Sequence, residues 1–399
     1  MSLNFGRPQV SIPGPSIIPD RVLTAMHRPS PNIYEGALVE MVDTIYPDLK
    51  TVAQTKHNVA IYIANGHGAW EAALKNTLNA GDKVLILGTG KFPIAWGELA
   101  RSHGIQTKIL DFGMHNDVNA NKLADALKND TKGEIKAVLA VHTDTASSVK
   151  NDIQALREAI DETGHEALFM VDCIACLGCD EYHMDKWGVD VTISACQKGL
   201  MTPAGIAFVY FNDKAAKARE RAQPGEYWDW VLRTQSDLFY RQFDGTAPTH
   251  HLYGLREALD ILVHEESIKA AWKRHTTMAN AIWAAIDQWA LDGDVKLNIS
   301  DKTKRSTAVT TLKTAPNDAT KIRQWCESQA GLTLGIGLGF EGDDYNRHLR
   351  IGHMGHLNPP MILGALGTIE TAMKALGIPH GEGALSNASK VLANHTSEK

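Results

Sequence analysis

Lys198 and Asp172 are the two residues whose types and spacing point most directly to chemistry. Lys198 lies just beyond an apolar, β-branched run at 190–195, and Asp172 closes another such run at 167–172. In enzymes that use pyridoxal 5′-phosphate (PLP), a lysine holds the cofactor aldehyde as a Schiff base and a carboxylate keeps the pyridine nitrogen protonated. A lysine after a strand is more often a solvated loop residue, and an aspartate there more often caps a helix. The rest of the sequence has to decide between these interpretations.

The turn Asn65-Gly66-His67-Gly68 is a second candidate site. It follows an apolar run at 58–64 and precedes a helical pattern. Backbone amides at such a helix N-terminus bind phosphate well. The turn is not a dinucleotide fingerprint, because Glu71 stands where the third glycine would be. An ordinary tight turn explains the two glycines equally well, and His67 fits either a cofactor contact or a helix cap.

Three of the five cysteines, Cys173, Cys176 and Cys179, form a C-x2-C-x2-C run that is similar to the opening of a ferredoxin cluster motif. The fourth cysteine and its proline are missing. The odd total also argues against a disulfide framework. His353 and His356 have no carboxylate or cysteine beside them to complete a metal site. We therefore predict reduced structural thiols and no metal.

Composition restricts the class of protein. The chain has 399 residues, of which 44% are hydrophobic and 22% charged, as in an ordinary globular protein, and this length favours one large and one small domain. The net charge of −6 argues against a nucleic-acid surface. No apolar run approaches the ~18 residues of a membrane span, and the N-terminus lacks the apolar core of a signal peptide. A cytoplasmic location is the expectation.

Strand-like and helix-like segments alternate through the first half of the chain. The apolar strands are predicted at 58–64, 83–87, 137–142, 167–172, 190–195 and 206–211. This pattern predicts an α/β fold with a mostly parallel sheet and helices on both faces, and the short loop between the last two strands allows one antiparallel pair. A long helix is expected over 252–290, followed by a mixed α+β region. We expect an N-terminal arm (1–20), a large domain (21–255) and a small C-terminal domain (256–399).

Taken together, these segments resemble the class V aminotransferases, specifically the serine–glyoxylate and alanine–glyoxylate family. The likeness extends from residues 12–16 to residues 350–355. The motifs that carry it are GAWEAAL at 68–74, VDCIACLGCD at 171–180, QKGLMTP at 197–203 and LYGLREAL at 252–259. The resemblance implies a PLP-dependent transferase of fold type I, with a seven-stranded type of sheet. It also implies a homodimer with active sites shared between subunits, and glyoxylate as the amino acceptor, yielding glycine.

The resemblance also assigns roles to individual residues. Lys198 would carry the cofactor and move the proton, and Asp172 would pair with the pyridine nitrogen. The remaining cofactor contacts would be Asn65, Gly66, His67 and Gln197 at the phosphate, Thr246 reaching that phosphate from the other subunit, Phe92 stacked on the ring and Thr145 at its hydroxyl side. Arg350 would grip the substrate α-carboxylate in a bidentate pair. Without the resemblance, Phe92 is equally a core residue, Thr145 and Thr246 are turn residues, and Arg350 is a surface strand residue.

The amino donor is left open by the sequence. L-Serine is the simplest expectation, and L-aspartate is the alternative, which would need a second cation such as Arg28, His27 or a protonated His67. Other class V enzymes also remain, namely alanine– or ureidoglycine–glyoxylate aminotransferases and β-lyases or desulfurases. A desulfurase needs a nucleophilic cysteine on a mobile loop, whereas Cys326 lies in a helical pattern. A non-catalytic binding protein of this fold would be expected to have lost Lys198 or Asp172.

Overall fold

The computed structural model describes residues 2–395. The strands are β1 (Gln9–Ser11), β2 (Asn58–Tyr62), β3 (Lys83–Gly88), β4 (Gln106–Asp111), β5 (Ile135–Val141), β6 (Leu168–Asp172), β7 (Val191–Ala195), β8 (Ala207–Phe211), β9 (Lys296–Leu297), β10 (Val309–Lys313), β11 (Leu332–Leu334) and β12 (His348–Gly352). The helices are α1 (Asp20–Met26), α2 (Ala37–Ala53), α3 (Gly66–Thr77), α4 (Lys91–Ser102), α5 (Ala120–Lys128), α6 (Ile153–Glu162), α7 (Asp213–Arg219), α8 (Trp230–Gln235), α9 (Thr249–Leu259), α10 (Ile268–Trp289), α11 (Asp318–Ala330), α12 (Asp343–Arg347), α13 (Pro359–Ala375) and α14 (Ala384–His395). No helix within 2–395 is long and apolar enough to cross a membrane.

A seven-stranded sheet forms the centre of the larger part of the fold. Its strand order is β2-β8-β7-β6-β5-β3-β4. In the described chain, β8 runs antiparallel to β2 and β7, and the other neighbouring pairs are parallel. The fold-class prediction is therefore confirmed, including the antiparallel pair. Strand β4 was not predicted, because it is an edge strand whose polar residues are largely exposed and show no apolar run.

Helices cover both faces of this sheet, and the strand sequences explain why. Val59 and Ile61 of β2 pack into one buried cluster together with side chains of α2, α5 and α6. Their neighbours Ala60 and Tyr62 pack into a second cluster with α3, α4 and α7. Because alternate residues of a strand point to opposite faces, a strand buried on both faces must be apolar throughout, as the sequence had suggested.

The C-terminal region has a core of its own. The antiparallel sheet β9-β10-β12 packs with α10, α11, α13 and α14. The prediction of one continuous helix over 252–290 was wrong. Helix α9 passes into a π-helical turn at Asp260–Glu265, and α10 starts afresh after Ser267, which has φ +72° and whose side chain accepts a hydrogen bond from the Ala270 amide at 3.3 Å. The proposed domain boundary after residue 255 falls within α9, and the domain division stays a prediction.

The topology determines where a ligand can bind. Strands β2, β3, β5, β6 and β7 all end at the same edge of the large sheet, since β8 is antiparallel to its neighbours. Strands β3 and β5 are neighbours in the sheet. From β3 the chain continues outward to β4 at one edge of the sheet, and from β5 it continues in the opposite direction to β6, so the strand order reverses between β3 and β5. Ligands of open α/β sheets bind beyond the carboxyl ends of the strands at such a switch point.

Candidate active site

A cavity of about 200 Å³ lies at this edge of the sheet. Its lining includes most of the residues predicted from the sequence: Asn65, Gly66, His67, Phe92, Thr145, Asp172, Gln197 and Lys198. It also includes Trp70, Val141, Thr143, Ile174 and Ala175. The loops after five different strands therefore converge on one cavity. Lys198 and Asp172, which were singled out by residue type, both face it.

Asp172 is a buried carboxylate at the end of β6. Its Oδ2 accepts a hydrogen bond of 2.8 Å from Trp70 Nε1, and its Oδ1 accepts one of 2.7 Å from the Ile174 amide. Burial raises the pKa of Asp172 to about 7, against the two hydrogen bonds and the charge of Lys198, which lower it. A cationic partner at this carboxylate would bring its pKa back down. The carboxylate is thus fixed in orientation by two hydrogen bonds.

Lys198 is held by a segment from the N-terminus. Its Nζ donates a hydrogen bond to the Pro13 carbonyl, and its own carbonyl accepts one of 2.7 Å from Ser16 Oγ. The Ser16 amide also donates to the Gln197 carbonyl at 2.9 Å. Between these contacts lies Gly14, with φ +89°, where a Cβ would collide with Lys198 Nζ. Residues 13–16 therefore form a strap that shapes the space around the amine.

The electrostatic surroundings of Lys198 favour its neutral form. Burial lowers its pKa to about 8, the charge of Arg350 acts in the same direction, and Asp172 opposes both. Only a neutral amine is a nucleophile towards a carbonyl group, and lysines in apolar sites are activated in this way. The side chain therefore meets the chemical requirement for Schiff-base formation near neutral pH.

The N-terminus of α3 forms another wall of the cavity. Asn65 caps this helix, because its Oδ1 accepts from the amides of His67 at 3.1 Å and Gly68 at 3.3 Å. A Cβ at Gly66 would lie 2.4 Å from the terminal methyl group of Ile174, so the two loops approach closely at this point. Burial and the charge of Lys91 lower the pKa of His67, whose ring lies 4.6 Å from that of Trp70. The helix cap is thus Asn65, and His67 is a neutral ring beside the cavity.

Phe92 lies in the first turn of α4, and Thr145 in the loop after β5. The Phe92 ring is half-buried, and its centroid is 6.2 Å from that of Trp70 in an edge-on arrangement. The Phe92 amide donates to Asp144 Oδ2 at 2.9 Å. Thr145 is buried and lines the cavity. Both side chains are therefore available to a ring bound in the cavity.

Arg350 lies behind Thr145, outside the residues that line the cavity. It comes from β12 of the C-terminal sheet, and it donates from Nε to the Ile336 carbonyl at 2.7 Å and from Nη1 to the Thr145 carbonyl at 2.8 Å. Burial lowers its pKa to about 10, against the charge of Asp144. The guanidinium is oriented by backbone carbonyls and stays cationic at neutral pH. Within the described chain it forms no ion pair with an acidic side chain.

Besides Arg350, two further predicted site residues do not line the cavity. Thr246 is exposed in the segment between the 3₁₀ helix Phe239–Phe243 and α9. Arg28 is also exposed, where its guanidinium stacks 3.9 Å above the Tyr253 ring and Nε donates to the Ala25 carbonyl at 2.8 Å. Neither residue lines the cavity of its own chain, and both roles stay predictions.

Comparison with known proteins identifies the family. The family model described as aminotransferase class-V matches residues 15–338. A serine–glyoxylate aminotransferase of Methylorubrum extorquens is 35% identical over 94% of this chain and 92% of its own length. An L-aspartate–glyoxylate aminotransferase of Paracoccus denitrificans is 32% identical over 93% of this chain and 92% of its own. The chain belongs to the class V aminotransferases.

The structure of this class V aminotransferase agrees with that assignment. A ureidoglycine–glyoxylate aminotransferase from Bacillus subtilis superposes with a TM-score of 0.87, covering 98% of this chain and all of the other (100%). At 24% identity that likeness supports the fold alone. The chain is thus an enzyme that transfers amino groups, as the sequence resemblance had implied.

The cysteines of this aminotransferase that the structure describes are free and buried. His142 was not predicted to lie near them, yet its Nδ1 is 3.1 Å from Cys176 Sγ, and Cys173 completes a group whose ligand atoms lie within 4.8 Å of one another. The imidazole and thiol are joined by a hydrogen bond in the core beneath the cavity. His353, which had been weighed as a metal ligand, instead bonds Thr310 Oγ1 at 2.8 Å and the Thr307 carbonyl at 2.9 Å.

Sequence reasoning missed three groups of this aminotransferase's site. Trp70 had been quoted only within the motif at 68–74, whereas its indole nitrogen donates a hydrogen bond to Asp172. Asp144 had not been noticed, although it connects Phe92 to the loop of Thr145. The strap at 13–16 had been quoted only as part of the family likeness. An isolated tryptophan or aspartate has no local signature for such contacts, since each depends on which strands become neighbours.

Proposed function

We propose that this aminotransferase uses PLP to transfer the amino group of a small polar or acidic L-amino acid, L-serine or L-aspartate, to glyoxylate, which yields glycine. The observation that carries the proposal is the convergence of the amine of Lys198 and the carboxylate of Asp172 on one cavity. The proposal for the substrates draws on the relatives named above, one of which acts on serine and glyoxylate and the other on aspartate and glyoxylate.

The residues around the cavity fit PLP. The helix N-terminus at Gly66 suits a phosphate, a buried carboxylate suits a protonated pyridine nitrogen, and Phe92 offers an aromatic face for stacking. Gln197 provides a further indication of a bound ligand, because its buried Oε1 has no hydrogen-bond partner among the described residues. A buried acceptor without a donor is costly, and a bound molecule with a donor group would relieve that cost.

When bound, PLP supplies an electron sink that stabilises negative charge at the substrate Cα. Asp172 would keep the proton on the pyridine nitrogen, with Trp70 and the Ile174 amide holding the carboxylate in place. Lys198 would hold the cofactor between turnovers and would carry the proton from the substrate Cα as general base. Arg350 would bind the α-carboxylate of each substrate in turn. The donor would leave as its 2-oxo acid before glyoxylate enters, in a ping-pong sequence.

The choice of donor depends on the charges around the cavity. The lining contains two basic side chains, and neither offers a free charge to a substrate side chain: Lys198 would hold the cofactor, and the lowered pKa of His67 leaves that ring neutral at pH 7. This favours L-serine, whose hydroxyl needs only a polar partner. L-Aspartate would require a second cation for its side-chain carboxylate, and Arg28 could supply one only from a neighbouring chain.

We propose a homodimer with shared active sites. The exposed position of Thr246, away from its own cavity, supports a contact made across an interface. Sedimentation velocity should show a dimer at working concentration, and an active monomer would refute shared sites.

A desulfurase or β-lyase on the same fold is less well supported. Cys326 is buried in α11, and its thiol points to the Thr368 carbonyl at 3.9 Å. Burial raises the pKa of this thiol to about 12, so it would be protonated and unreactive at neutral pH. The cysteine that a desulfurase needs is therefore absent from the mobile, accessible positions of the described chain.

The proposal is tested with glyoxylate and a panel of amino donors, by measuring glycine formed. We expect glycine with serine or aspartate and much less with bulky apolar donors. In parallel, borohydride reduction followed by peptide mass spectrometry should place a phosphopyridoxyl group on Lys198. Attachment to another lysine would refute the site assignment, and a lack of glycine with every donor would refute the substrates while leaving the family intact.

A further inference from the structure

Asp144 is a buried carboxylate that the chemistry described above does not use. It follows Thr143 in the loop after β5 and is fully buried. Its Oδ2 accepts from the Phe92 amide at 2.9 Å, and its Oδ1 accepts from the amides of Ala146 at 2.8 Å and Ser147 at 2.9 Å. With backbone donors on both oxygens, this carboxylate is fixed in one orientation.

These hydrogen bonds fix two different walls of the site. The Phe92 amide belongs to the first turn of α4, so its bond to Asp144 sets where the aromatic ring enters the cavity. The amides of Ala146 and Ser147 close a turn around Thr145, and the carbonyl of Thr145 is the acceptor for Arg350 Nη1 at 2.8 Å. One carboxylate thereby connects the aromatic wall to the arginine behind the opposite loop.

The surroundings of Asp144 allow little adjustment. A Cβ added at Gly90 would collide with the Asp144 carboxylate group, so the chain just before α4 passes against it. The negative charge of Asp144 also acts on Arg350. Burial lowers the pKa of the Arg350 guanidinium, and Asp144 raises it. The position therefore has both a geometric and an electrostatic connection to the arginine.

We propose that Asp144 is a positioning residue for the reaction: its single carboxylate sets the relative placement of the Phe92 ring and the Arg350 guanidinium. This proposal rests on the proposed function, in which these two groups contact the cofactor ring and the substrate carboxylate. Asp144 itself touches neither, since it acts through backbone amides and the Thr145 carbonyl. Its loss should therefore misplace both groups without removing either.

The test compares Asp144→Asn with Asp48→Asn. The amide introduced by Asp144→Asn keeps the shape of the side chain but replaces one acceptor oxygen with a donor group that faces the Phe92 N–H. Asp48 is a matched control, because it too is a buried aspartate of the large sheet region and pairs with Arg256 and His264 away from the cavity. We expect the KM for the donor to rise about 10- to 100-fold in Asp144→Asn, as for loss of a charged hydrogen bond, with a smaller fall in kcat. The visible circular-dichroism band of the bound cofactor should change as well.

Asp48→Asn should alter only thermal stability. Gly90→Ala provides a second test variant, because it pushes on the carboxylate without changing its charge, and it should reproduce the changes in KM and in the dichroic band. Unchanged KM and spectrum in both Asp144→Asn and Gly90→Ala would overturn the proposal. If wild type shows no visible cofactor band, the proposed function fails instead. In that case a crystal structure of Asp144→Asn still tests the positioning role of Asp144. Phe92 and Arg350 in their wild-type positions would refute that role.

Discussion

The indole nitrogen of Trp70 donates a hydrogen bond of 2.8 Å to Oδ2 of Asp172, the carboxylate at the end of β6. Trp70 lies on α3, whose N-terminus is the candidate phosphate site, so this bond joins two sides of the cavity. It also lowers the pKa of a carboxylate that burial raises. Trp70 thus favours the ionised form of Asp172 that a pyridinium partner requires.

Trp70→Phe should weaken that ionised form. We expect a fall in kcat/KM of about 10- to 100-fold, which corresponds to the ~1.5–3 kcal/mol of a hydrogen bond to a charged group. The measurement is steady-state kinetics together with the pH dependence of kcat/KM, whose acidic limb should move to higher pH.

Trp96→Phe is the matched control. The Trp96 ring stacks on that of Trp70 at 5.9 Å, but its buried Nε1 has no hydrogen-bond partner in the described part of the chain. Removing that N–H should leave kcat/KM almost unchanged. Equal losses in the two variants would show that aromatic packing, rather than the bond to Asp172, is responsible.

Gly14→Ala should prevent normal placement of Lys198. The residue has φ +89°, and a Cβ there would collide with the lysine amine. Gly36→Ala is the control, since Gly36 has nearly the same φ of +86° with nothing within 4 Å of a Cβ. Both variants should lose about 1–3 kcal/mol of stability, because a positive φ is strained for a residue with a Cβ. Only Gly14→Ala should lose covalent attachment of the cofactor. This attachment is measured by borohydride trapping and mass spectrometry. Attachment at wild-type level in Gly14→Ala would contradict the role of the strap at 13–16 in shaping the space around the Lys198 amine.

The contribution of Asp172 to the stability of the cofactor-free enzyme should fall as pH rises from about 4 to 7. Asp172 has a pKa of about 7 in the native state and an ordinary value of 3.8, so over this range the folded chain holds a proton that the unfolded chain has released. Linkage then lowers the free energy of unfolding as pH rises. Lys198 acts in the opposite sense at higher pH, because its native pKa of about 8 lies below the ordinary 10.5, and stability returns between those values.

Asp172→Asn removes the first of these effects. Urea unfolding of cofactor-free wild type and variant at pH 5, 6, 7 and 8 should show the variant gaining relative stability as pH rises, by on the order of 2–3 kcal/mol over that range. A constant difference between the two curves would mean that Asp172 titrates at its ordinary value in the folded chain.

Arg350→Lys should raise the KM for both substrates. The guanidinium is held by two carbonyls, those of Ile336 and Thr145, in a fork that an ammonium cannot reproduce. We expect about a 10- to 100-fold increase in KM with a smaller effect on kcat. Arg305→Lys is the control, because Arg305 likewise donates to two carbonyls, of Ile299 and Ser300, at a distance from the cavity lining. A similar KM change in both variants would argue against a substrate contact.

The sequence by itself determined the fold class and the two central residues. Strands buried on both faces are apolar throughout, and Lys198 and Asp172 follow such runs, so their position at one sheet edge could be inferred from parallel topology. The edge strand β4 carried no such signal, because most of its residues are exposed and none is fully buried. The break between α9 and α10 was hidden, since the apolar spacing continues through it and only the backbone at Ser267 departs from a helix.

Only the tertiary structure decided which groups surround those two residues. Trp70 is more than 100 residues from Asp172, Pro13 is 185 residues from Lys198, and Thr145 is 205 residues from Arg350. Such contacts have no local pattern, because they depend on strand order and on the packing of the C-terminal sheet against the large one. Local sequence determines which face of an element is buried, whereas the identity of the neighbour across that face is a property of the whole fold.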